Sequence, residues 1–104
     1  MNGAPTPIAP DAVFRPSAAV VRREVVGETL LIPVSGHLAH LDDVFTLNPT
    51  AAFVWSLLDG ERDLETVERA VRERYEVDHD EAWRDLEALV ASLHEAGLLE
   101  MVER

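Results

Sequence analysis

Residues 47–60, L-N-P-T-A-A-F-V-W-S-L-L-D-G, constrain the fold more than any other stretch of the chain. The run opens with helix-start grammar. Asn48 can turn its side-chain oxygen onto free backbone N–H groups, and Pro49 at the first helical position gives up an N–H that would have no partner there. Gly60 can take the left-handed conformation that closes a last turn. Between these signals only Thr50 and Ser56 are polar before Asp59. A helix apolar nearly all round must be covered on several sides, so this segment is expected to be the core.

Upstream, residues 1–17 carry prolines at positions 5, 7, 10 and 16 and few large apolar groups, which predicts a flexible N-terminal arm. Residues 18–26 alternate Val21, Arg23 and Val25 against Arg22 and Glu24, the period of a half-buried strand. Gly27-Glu28 suits a type II′ hairpin turn, and residues 29–34 supply a second strand with Leu30, Ile32 and Val34 on one side. Pro33 cannot donate to a ladder, so its place is an edge or a non-bonding side. Ser35-Gly36 marks a turn. Residues 43–47, D-V-F-T-L, read as a third strand running into the Asn48 cap.

Two one-sided helices follow. Asp63 caps the first, with Leu64, Val67, Val71 and Tyr75 at helical spacing. Asp78, with Glu81 three residues on, is an acidic variant of the capping box and opens the second. Its stripe is Ala82, Leu86, Leu89, Val90 and Leu93, and Gly97 is its stop signal. Leu98 and Leu99 should fold back on the core, and residues 100–104 should fray. The expected architecture is α+β and winged-helix-like: a three-stranded antiparallel sheet packed on a three-helix bundle, within one domain over residues 18–104.

Charge excludes several functions. Residues 59–104 hold fifteen acids against six arginines and so carry nine of the eleven net negative charges. That surface repels nucleic acid and anionic lipid and favours a basic partner. A DNA-reading winged helix needs cations on its last helix, yet residues 78–96 carry six acids against Arg84 alone. The winged-helix regulator is the first alternative reading, and it fails on charge. No cysteine is present, so disulfides and thiol chemistry are excluded. Neither a signal peptide nor a run of about 18 apolar residues appears, and a cytoplasmic location without membrane contact is expected.

No catalytic constellation stands out, because phosphate loop, nucleophile elbow and His-Glu-x-x-His are all missing. His37 and His40 lie near Asp42 and Asp43, but their spacing gathers ligands only on a helix, and this segment reads as loop or strand. Neither a metal nor a cofactor is expected. Trp83, Glu87, Val90 and His94 lie along one shoulder of the last helix. That shoulder is expected to overhang an open strand edge, a layout that accepts an extended peptide as a further strand. A scaffold contacting folded partners through the same edge is the second alternative.

These residues resemble a known family. The run L-N-P-T-A-A-F-V-W-S-L-L-D-G, the helix opening D-L-E-T-V, and Y-E-V-D-H-D-E-A-W-R-D-L-E-A-L-V-A-S-L-H-E-A-G-L-L over residues 75–99 together resemble the PqqD-like family. The resemblance implies a recognition element for ribosomally made, post-translationally modified peptides. Such an element binds the precursor's leader and presents it to a maturation enzyme, such as a radical-SAM protein, while catalysing nothing itself. By position, the binding strand would be Asp43, Val44, Phe45, Thr46 and Leu47. Trp83, Glu87 and Val90 would form the wall, with Leu86 reaching from the floor. The chain departs from the pyrroloquinoline quinone protein at Leu41-Asp42-Asp43, where that protein tends to carry Pro-Glu. The expected state is a monomer or weak dimer, since an open edge can also pair with its own copy.

Overall fold

The computed structural model describes residues 8–35 and 38–103. Strands β2 (Val20–Val25) and β3 (Glu28–Ser35) form an antiparallel hairpin, and β4 (Leu38–Ala39) and β5 (Phe45–Leu47) share the other edge of β3. Helices α1 (Pro49–Leu57), α2 (Leu64–Tyr75) and α3 (His79–Glu95) follow, and β6 (Leu99–Val102) ends the order. The expected α+β layout is present, with a second small sheet added to it.

That second sheet corrects the reading of the arm. Val13–Pro16 forms β1 and pairs antiparallel with β6, Val13 opposite Val102 and Pro16 opposite Leu99. Val13 and Phe14 are buried in the core. The prolines were a poor guide because Pro16 ends the strand and Pro10 lies before it, leaving the apolar pair between them free to pack. Residues 100–102 are strand as well, rather than frayed end. Residues 1–7 of the expected arm lie outside the described residues.

All three helix starts follow their caps. Asn48 Oδ1 accepts the Ala51 N–H at 2.8 Å, Asp63 Oδ1 the Thr66 N–H at 2.9 Å, and Asp78 Oδ1 the Glu81 N–H at 2.8 Å. The end of α1 differs from expectation. The helix stops at Leu57, and Gly60 lies in the loop beyond it with φ +86°. Its N–H donates to the Phe14 carbonyl at 2.9 Å, and a Cβ there would stand 3.3 Å from the Arg15 Cβ. Gly60 is required because β1 crosses so closely, not to close the helix.

Nor is α1 enclosed all round. Only Val54 and Trp55 of its residues are fully buried, while Ala51, Ala52, Phe53 and Leu57 remain half-covered. Leu30, Ile32 and Val34 share one side of β3 as expected, and it is the less buried side. Thr29 and Leu31 are the buried residues of β3, whereas Leu30, Ile32 and Val34 turn to the outer face. Strand β2 is exposed on nearly its whole length rather than half-buried. The hairpin turn is Val26-Gly27, both with positive φ (51° and 82°), because Val25 pairs with Glu28. That is the type I′ geometry, one residue earlier than the expected Gly27-Glu28.

The expected third strand is broken. Ala39 pairs with Val34 and Phe45 with Leu31, so six residues along one chain segment match three along β3. The surplus bulges out as a 3₁₀ turn, Leu41–Asp43. Asp43 and Val44 therefore precede β5 rather than belong to it. The turn expected at Ser35-Gly36 reaches residues outside those described.

Candidate functional site: an open strand beside a helix-lined cleft

Backbone alternation decides which groups of β5 are free. The His40 N–H donates to the Pro33 carbonyl at 2.8 Å, so odd-numbered residues of β3 present their backbone to the β4–β5 edge. Leu31–Phe45 and Thr29–Leu47 are then the hydrogen-bonded pairs. Thr46 lies between them and turns its N–H and C=O away from β3. Val44, with extended backbone, does the same by alternation. Among the described residues no strand pairs with this outer edge. Side chains alternate too. Leu47 and Phe45 face inward, buried and half-buried, and Thr46 is exposed.

Two separate hollows are lined by residues just before and just after β5. Beyond Leu47 lies a cavity of about 390 Å³ whose walls come from all three helices. From α1 come Thr50, Ala51 and Val54, from α2 Val71 and Tyr75, and from α3 Ala82, Asp85, Leu86 and Leu89. Of the half-covered apolar residues of α1 only Ala51 lines this space, beside the buried Val54. Phe53 and Tyr75 meet edge-on at 5.8 Å, and the Arg74 guanidinium stacks over Phe53 at 4.9 Å. At the other end of β5, Asp43 and Val44 share a second hollow with Pro33, His40 and Ala96, the C-cap of α3. Carboxylates stand at both ends, Asp43 at one and Asp85 at the other, and both residues are exposed.

Of the sequence-predicted residues, Asp43, Val44 and Leu86 line these spaces, and Thr46 offers the open backbone between them. Phe45 and Leu47 supply the inward anchor of the strand. Trp83, Glu87 and Val90 line neither space. Val90 is fully buried, and Trp83 is half-buried against the core. Glu87 Oε2 accepts the Ile8 N–H at 3.1 Å, and His94 sits edge-on to Phe14 at 5.6 Å. This shoulder of α3 is thus turned toward β1 and the segment leading to it. The cleft instead takes the neighbouring face, Ala82, Asp85, Leu86 and Leu89. Sequence reasoning placed Leu89 in the core stripe and passed over Asp85.

His40 lines the second hollow, and His37 lies outside the described residues. Among the described residues no three metal-ligating side chains cluster. No described helix is long and apolar enough to cross a membrane.

Fold and cleft together define a small α+β domain that leaves one short strand open beside a helix-lined cleft. The chain matches the family of coenzyme PQQ synthesis protein D (PqqD) over residues 30–99, and it belongs to that family. It is similar to the solved structure of TbiB1 in complex with the TbiA(beta) leader peptide. The two share 28% identity with a TM-score of 0.68, over 83% of this chain and 94% of that one. No curated protein matches the chain.

Proposed function

We propose that this protein binds the leader of a ribosomally made precursor peptide and presents it to a modifying enzyme, such as a radical-SAM protein. It works in the cytoplasm and catalyses nothing itself. The observation that carries this reading is the open Thr46 backbone edge beside an apolar cleft, in a family member similar to a protein solved with a leader peptide. A leader adding to β5 would gain register from the ladder and selectivity from side chains entering the cleft. Asp43 and Asp85 at the two ends favour a leader with basic residues flanking apolar ones, so added salt should weaken binding.

Calorimetric titration of the purified chain with the leader half and the core half of a candidate precursor peptide tests the proposal. Saturable binding of the leader, without binding of the core, is expected. Equal binding of both halves, or of neither, would refute leader recognition. Full modification of the precursor by its enzyme in the absence of this chain would refute the presenting role.

A further inference from the structure

The sheet has a second open edge. Strand β2 pairs with β3 on one side and, among the described residues, with no strand on the other. The Val34 N–H donates to the Ala19 carbonyl at 2.8 Å, which makes 21–32, 23–30 and 25–28 the hydrogen-bonded pairs of the hairpin. Val20, Arg22 and Glu24 therefore turn their N–H and C=O groups outward. This edge is six residues long and contains neither a proline nor a bulge, the devices that usually block strand pairing.

We propose that β2 pairs antiparallel with β2 of a second copy of this chain, centred on Arg23. Outward residues must face outward residues, so along this ladder even-numbered positions oppose even-numbered ones and odd-numbered positions oppose odd-numbered ones. Centring on Arg22 would set Arg22 against Arg22, and centring on Glu24 would set Glu24 against Glu24. Centring on Arg23 places Arg22 of each copy opposite Glu24 of the other. On the opposite face it places Val21, 42% exposed, against Val25, 48% exposed. Of these three registers, only this one makes the strand self-complementary in both charge and apolar surface.

Arg23 meets its own copy at the axis, and Glu28 stands diagonally across the hairpin as a counter-charge within reach of a long side chain. Residues 20–35 hold two arginines and two glutamates, so the hairpin is neutral although the chain carries a net charge of −11. Two six-residue edges bury far less than the roughly 1,200 Å² of stable interfaces, so the dimer is weak and forms at high protein concentration. Strand β5 lies across β3 from this edge, and its own open side stays available in the dimer.

Sedimentation of the full chain from micromolar to millimolar concentration tests the pairing. The weight-average mass should climb from 11.5 kDa toward twice that value. Arg22→Glu and Glu24→Arg each set like charges against one another and should each remain monomeric. Within one chain Arg22 and Glu24 pair with each other at 2.8 Å, and both side chains are well exposed, 46% and 62%, so each variant gives up only a surface ion pair and the fold should survive. An equimolar mixture of the two variants restores opposite charges across the axis and should associate as the parent chain does. A parent chain that stays monomeric, single variants that associate as well as it does, or a mixture that stays monomeric would each overturn the proposal.

Discussion

Pro33 accepts the His40 N–H at 2.8 Å but has no N–H of its own to return to the His40 carbonyl. That carbonyl takes the Asp43 N–H instead, at 3.0 Å, and so opens the 3₁₀ turn that lifts the chain out of the sheet. One missing donor on β3 thus helps set where β4 ends and β5 begins. It also brings Asp43 and Val44 to the hollow they share with Pro33, His40 and Ala96.

Restoring the donor should loosen the turn. In Pro33→Ala the new N–H competes with Asp43 for the same carbonyl, so the Asp43 amide should exchange with solvent faster than in the parent chain. Hydrogen exchange read by NMR checks this at a single residue. An unchanged Asp43 amide would mean that the turn is held by something other than this exchange of partners.

The hairpin turn is strained at one position. Val26 is β-branched, 97% exposed and held at φ 51°, where a side chain crowds its own carbonyl. Asparagine tolerates that region, and little packing is lost by removing an exposed valine. Val26→Asn should therefore stabilise the domain by about 1 kcal/mol, seen as a raised midpoint in urea.

Glu68 gives a less obvious expectation. It is 1% exposed on α2, with Oε2 held by Arg72 Nε at 2.6 Å and facing His79 Nδ1 at 3.0 Å. Its Oε1 is buried and has no hydrogen-bond partner among the described residues. Arg72 and His79 both reach solvent, so removing the carboxylate strands no buried charge. Glu68→Leu should be neutral or stabilising, by up to about 3 kcal/mol in chemical denaturation. A clear loss of stability would instead identify this carboxylate as the tie between α2 and the start of α3.

How far the sequence could be read follows from the range of each interaction. Asn48, Asp63 and Asp78 announce their helices because a cap acts over three residues, and all three bonds are present. The β1–β6 ladder joins residues 83 to 89 apart in sequence, such as Arg15 and Glu100, and nothing local to Val13 and Phe14 signals that partner. The stripe of α3 was legible for a similar reason, as periodicity records which residues are apolar. It does not record which neighbour covers each flank. Trp83 and Glu87 have the spacing of a groove wall, but the segment from Ile8 to β1 passes on their side. The cleft consequently opens at Asp85 and Leu89, one helix face away.

The site itself should separate by variant. Thr46→Pro removes an outward N–H from β5 while leaving the Phe45 and Leu47 bonds to β3 in place, so the fold should hold and an added strand should lose a rung. Val44→Pro acts in the same way one step earlier. Leu89→Asp places a charge in the cavity wall at a half-exposed position, which the fold tolerates and an apolar ligand side chain does not. Val90→Asp is the contrasting case, because Val90 is fully buried and a carboxylate there should unfold the domain. Calorimetry with the leader should therefore show at least about a tenfold loss for Thr46→Pro and Leu89→Asp, roughly the 1.4 kcal/mol of one good hydrogen bond or one buried contact. Circular dichroism should show native melting for those two and a lost transition for Val90→Asp. Trp83→Ala should leave leader affinity within about twofold, since Trp83 lines neither hollow. If Trp83→Ala abolished binding while Leu89→Asp did not, the leader would lie on the β1 side of α3, and β5 would not be its template.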